Sequence, residues 1–69
     1  MQQQTPHQAR SLLKIEQVSE RIQLGRSWIW GAVKQGVFPA PQRLSNRCTR
    51  WDSLAVDRWI DQRLTEGHK

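Results

Sequence analysis

The stretch Gln23-Leu24-Gly25-Arg26-Ser27-Trp28-Ile29-Trp30-Gly31-Ala32-Val33-Lys34-Gln35-Gly36 decides the reading of this chain. Its middle predicts a helix over 26–35. On a helical wheel Ile29, Ala32 and Val33 share one side, with Trp30 at its edge. Ser27, Gly31, Lys34 and Gln35 lie opposite, flanked by Trp28. Gly25 suits either a tight turn or an N-cap. Gly36 takes the position after the helix where left-handed backbone ends the spiral. Gly31, in the interior, costs about 1 kcal/mol relative to Ala. It is either merely tolerated or lets a partner come close to the helix backbone.

Working outward, Glu16 to Gln23 reads as a preceding helix, because Val18 and Ile22 are four apart and Glu16 favours the positive end of the dipole. Leu12, Leu13 and Ile15 suit a short extended lead-in. On the other side, Val37-Phe38-Pro39-Ala40-Pro41 is too proline-rich for helix, and Phe38 is expected to anchor in the core. Gln42 to Leu44 and Cys48 to Trp51 read as two short strands, with Ser45-Asn46-Arg47 as the turn between them. Asp52 is expected to cap a last helix, with Trp51 and Val56 in the positions of a hydrophobic staple. That helix carries Leu54, Trp59, Ile60 and Leu64 and fades by Thr65. Trp30, Trp51 and Trp59 are expected in the core, as is Cys48.

Two short helices joined by a Gly-containing turn form the helix-turn-helix pattern. The expected fold is therefore mostly α with a small β-hairpin: a winged helix-turn-helix of three helices plus a two-stranded wing. It spans 12–64, between a flexible N-terminal tail, 1–11, and a C-terminal tail, 65–69.

Composition narrows the function. With 69 residues, the chain holds at most one domain. A domain of this size buries only about 60% of its unfolded surface, too thin a core for a deep catalytic cleft. Cys48 is the only cysteine, which excludes an internal disulfide and favours a reducing compartment. No apolar run approaches the roughly 20 residues of a membrane span, and Met1 to Arg10 lacks a signal peptide's apolar stretch. A cytoplasmic location follows as the expectation. His7 and His68 lie near opposite ends and there is no CxxC, so no metal site is expected. No nucleophile–base motif, paired-carboxylate signature or Gly-rich phosphate loop is recognisable, so neither an enzyme, a cofactor nor a small-molecule substrate is expected.

The net charge is +5, with 11 Lys and Arg against 6 Asp and Glu. The surplus is concentrated. Between Arg21 and Trp51 no acidic residue occurs, while Arg21, Arg26, Lys34, Arg43, Arg47 and Arg50 do. Such a run is either a plain solvated surface or the footprint of a polyanion.

The sequence Leu24-Gly25-Arg26-Ser27-Trp28-Ile29-Trp30, with Lys34-Gln35-Gly36, Phe38-Pro39, Pro41 and Arg50-Trp51, resembles the AlpA family of prophage transcriptional regulators. That family is similar to phage excisionases and shares a small MerR-like winged-helix fold. The resemblance runs from about Leu12 to Leu64. Gly25, Trp28 and Trp30 stand where the family usually has Ser, Thr and Tyr, and Gly31 stands where a long polar residue is common. These departures point to a different operator or to a contribution from Trp28.

The resemblance implies a sequence-specific regulator of a prophage or integrated element that binds double-stranded DNA and acts on an integrase gene. The alternative is an excisionase that bends attachment-site DNA, with integrase or self-association on DNA as further contacts. An alternative of another class is an adaptor that offers its basic surface to an acidic protein.

The second helix of such a motif enters the major groove. The DNA-contact candidates are Arg26, Ser27, Trp28 and Lys34 on that helix, Arg43, Arg47 and Arg50 on the hairpin, and Arg21 at the end of the first helix. Each has a plainer reading beside it. For Ser27 it is assistance to the helix cap, for Trp28 a place folded back in the core, for Arg50 a pair with Asp52 or Asp57, and for Arg21 service to the helix dipole.

Overall fold

The computed structural model describes residues 10–66. The element order is β1 (Leu12–Leu13), α1 (Ile15–Ile22), α2 (Arg26–Gln35), β2 (Gln42–Ser45), β3 (Cys48–Asp52) and α3 (Ser53–Glu66). Residues 1–9 and 67–69, most of the two expected tails, lie outside the described residues. Three helices on a small antiparallel sheet reproduce the expected winged helix-turn-helix arrangement.

Local chemistry sets the helix ends. The Gln17 side chain accepts from the Lys14 backbone N–H at 2.8 Å, and α1 starts at Ile15, inside the expected extended lead-in. Gln23 ends α1 in the left-handed region, at φ 60°, and its amide donates to the Glu20 carbonyl at 2.6 Å. Gly25, at φ −73°, is thus the N-cap of α2, and the turn's left-handed residue is Gln23. Gly36 closes α2 at φ 78°. Its N–H donates to the Val33 carbonyl, and that of Val37 to the Ala32 carbonyl at 2.9 Å. This paired closure is the Schellman arrangement, and glycine fits it without steric cost.

The sheet order is β1-β3-β2. The expected two-stranded wing therefore has a third strand beside it: Leu12 pairs with Asp52 and Leu13 with Trp51. In the hairpin, Gln42 pairs with Arg50, Arg43 with Thr49, and Ser45 with Cys48, with an irregularity between Arg43 and Ser45. The turn narrows to Asn46 and Arg47.

Leu13, Val18, Ile29, Ala32, Phe38, Trp51 and Val56 form the core. Two indoles fix the segment after α2. Nε1 of Trp51 donates to the Pro39 carbonyl at 2.9 Å, and Nε1 of Trp59 to the Val37 carbonyl at 2.8 Å. An indole N–H as deeply buried as that of Trp51 needs such a partner.

Trp30 departs from the expected core set. Its ring lies 5.2 Å from that of Trp51, yet 46% of the residue is exposed. On the wheel it sits about 100° from Ile29, so only one side of its ring reaches the core. Cys48 is half-buried: it sits at the turn end of the hairpin, paired with Ser45, away from the Trp51–Asp52 end of β3 that β1 covers.

The N-terminal segment is tied to the start of α3. Arg10 donates to both carboxylate oxygens of Asp52, Nε to Oδ1 and Nη2 to Oδ2, each at 3.0 Å. Ser11 and Ser53 exchange two hydrogen bonds of 2.9 Å. Asp52 also caps α3, its Oδ1 accepting from the Leu54 N–H at 3.1 Å. Arg10 foremost, with the Leu54 N–H and nearby Arg58, holds the Asp52 carboxyl below its ordinary range despite partial desolvation.

A depressed carboxylate stabilises the fold at pH values above its unfolded pKa, about 3.9. That contribution disappears as pH falls through the lowered native value. Asp52→Asn keeps a capping oxygen and loses the charge. It should therefore melt below wild type at neutral pH, with the gap closing in acid. A gap that is the same at both pH values in thermal denaturation would show that the Arg10 pair contributes nothing.

Candidate nucleic-acid interface

The exposed side of α2 is built from its own periodicity. With Ile29 and Ala32 buried, Ser27, Gly31 and Lys34 point away from the core and form the middle of the outward face. Its two edges are set by aromatic contacts. Trp30, spaced four from both Arg26 and Lys34, leans on Trp51 and marks the edge beside the sheet. Trp28 marks the edge beside α3, packing edge-on against Phe38 at 6.2 Å and Trp59 at 6.0 Å. Trp28 is thus both packed and accessible, with 40% of it in solvent. Arg63 stands 5.1 Å above the Trp59 ring, adding a cation to that edge.

The other candidates divide. Arg26 is exposed, and its Nη1 lies 3.7 Å from Glu16 Oε2. Exposed pairs of this kind are worth about 0–1 kcal/mol, so the guanidinium remains easy to recruit. Lys34 is exposed and makes no ion pair among the described residues. Arg43 and Arg47 are exposed on the hairpin, with Arg43 donating to the Asn46 carbonyl at 3.3 Å across the turn.

Strand alternation puts Arg43 and Thr49 on the sheet face from which Trp51 enters the core. Arg50 falls on the opposite face, and its Nη1 donates to the Thr49 carbonyl at 3.0 Å. The pairing open to Arg50 with Asp52 or Asp57 is not made. Arg10 takes the first carboxylate and Arg21 the second, at 2.8 Å. Arg21 therefore bridges α1 to α3 and reaches a phosphate only by leaving Asp57.

Trp30 is the surface residue that sequence reasoning misplaced. Its spacing of four from Arg26 and from Lys34 was the available signal. Among the described residues no group of three or more His, Cys, Asp or Glu could hold a metal ion. No described helix is long and apolar enough to cross a membrane.

A helix pair joined by a tight turn, with a hairpin beside the second helix and a surface rich in Arg and Lys, defines a small winged helix-turn-helix domain. The family model described as Prophage CP4-57 regulatory protein (AlpA) matches residues 11–64, and the chain belongs to that family of phage-related regulatory proteins. Comparison with curated proteins and with solved structures gave no match.

Proposed function

We propose that this protein is a sequence-specific double-stranded DNA-binding regulator of a prophage or integrated element, acting on an integrase gene from within the cytoplasm. In this reading α2 enters the major groove and the β2–β3 hairpin follows the adjacent backbone. The observation that carries it is the exposure of Arg26, Ser27, Lys34, Arg43 and Arg47 on two elements joined through the Trp30–Trp51 contact. No acidic residue lies between them in sequence. Arg26, Lys34, Arg43 and Arg47 neutralise phosphates and release counterions. Ser27 and Trp28 meet base edges or sugars. Arg50 and Arg21 contribute from the margins once their present hydrogen-bond partners are exchanged.

The test is duplex binding by fluorescence anisotropy between about 50 and 200 mM salt. Contact with about five phosphates gives a log–log slope of roughly −4 to −5. Salt-insensitive binding, or no duplex binding at low salt, would sink the reading and leave the acidic-partner adaptor. An excisionase role uses the same surface. Strong bending of attachment-site DNA in a gel-mobility assay, with self-association or integrase contact on that DNA, would establish it in place of the promoter role.

A further inference from the structure

Gly31 has no explanation inside the fold. Its backbone is ordinary helix, since Gly36 is the glycine with positive φ among the described residues. A Cβ built there meets no atom within 4 Å, apart from the chain neighbours and the helix's own nearby backbone. Neither conformation nor packing therefore requires glycine. Yet glycine in a helix interior weakens the helix relative to alanine, and a 69-residue chain has little core with which to offset that loss. The missing side chain leaves a space that opens outward, at the centre of the face that α2 presents.

The surroundings of that space limit what fills it. It is the floor of a shallow depression of about 190 Å³ lined by Ser27, Trp28, Gly31, Ala32, Gln35 and Val37. Trp28, Ala32 and Val37 make its walls apolar, and Trp28 and Val37 are both substantially exposed. Ser27 and Gln35 supply the hydrogen-bonding rim, one turn to either side of Gly31. A small apolar group beside polar atoms is the matching shape. In the major groove, the apolar protrusion of a base pair is the C5-methyl of thymine, and its partner adenine offers N6 and N7 to an amide such as that of Gln35.

We propose that Gly31 is a specificity-determining residue, forming a notch that seats a thymine methyl group and so selects an A·T pair under the middle of α2. This rests on the reading of α2 as the groove-entering helix. It goes beyond that reading by naming the base pair and the position that reads it.

The experiment uses the full chain and a duplex selected by it from a random pool. Each thymine of that duplex is replaced in turn by uracil, which removes only the methyl group. At one position, wild type should lose about fourfold in affinity, the value of burying one methyl. Gly31→Ala fills the notch. It should bind the thymine duplex about fourfold more weakly, as wild type does once the methyl is gone, and should no longer distinguish thymine from uracil at that position. The same variant should melt at a higher temperature than wild type, which separates lost contact from lost fold. Wild-type affinity in Gly31→Ala, or indifference of wild type to every uracil replacement, would overturn the notch. If Lys34→Ala still weakens binding in that case, the groove reading survives alone. If no duplex is bound by wild type, both fall together.

Discussion

Trp51→Ala should remove a large part of the protein's stability. Trp51 is 1% exposed and is among the largest fully buried side chains. It links three parts of the domain. It pairs with Leu13 in the sheet, donates to Pro39 after α2, and underlies Trp30 on α2. Truncating a buried tryptophan to alanine costs about 3–5 kcal/mol. A domain of this length holds only about 3–10 kcal/mol in total, at the usual stability per residue. The variant should lose about 12–40 °C in melting temperature, since each kcal/mol is worth about 4–8 °C in a small domain. Trp30→Ala supplies the contrast: with much of that ring already in solvent, roughly 1 kcal/mol is expected. Equal melting temperatures for the two variants would show that the Trp51 indole is not the centre of the core.

What sequence revealed and what it hid follow from the range of the forces involved. The bounds of α2 were legible because they are set locally, by Gly25 and Gly36 and by the spacing of Ile29, Ala32 and Val33. The hairpin and the capping role of Asp52 were legible for the same reason. The third strand was not. Leu12 and Leu13 carry no periodic signal over two residues, and their partners Asp52 and Trp51 are supplied by distant chain. Charge pairing was equally hidden. The acid-free run could be counted, but not the bonds from Arg21 to Asp57 and from Arg10 to Asp52, which span 36 and 42 residues. Those bonds change the character of the basic surplus, because Arg21 acts within the fold while Lys34 and Arg47 are unpaired among the described residues. Trp28 and Trp30 show the limit of the helical wheel. Both stand near the boundary between faces, and whether each is covered depends on Trp59 and Trp51, which the wheel does not contain.

Removing the side chains of Lys34, Arg43 and Arg47 together should nearly abolish duplex binding while the fold persists. All three are exposed, and their polar contact within the described structure is the Arg43 bond to the Asn46 carbonyl. Their substitution by alanine should therefore shift the melting temperature by only a few degrees, surface changes being worth about 0.5 kcal/mol or less. Binding responds differently. Each phosphate neutralised adds about 0.9 to the magnitude of the salt slope, which amounts to nearly tenfold in affinity around 0.1 M salt. Three lost contacts predict a slope shallower by about 3 and an affinity lower by several hundredfold. The two readouts must move together. A large loss of affinity with an unchanged slope would mean that these cations shape the surface without touching phosphate. A shallower slope with selectivity among duplexes retained would assign the three to backbone positioning, and would leave base readout to the strip from Ser27 to Gln35.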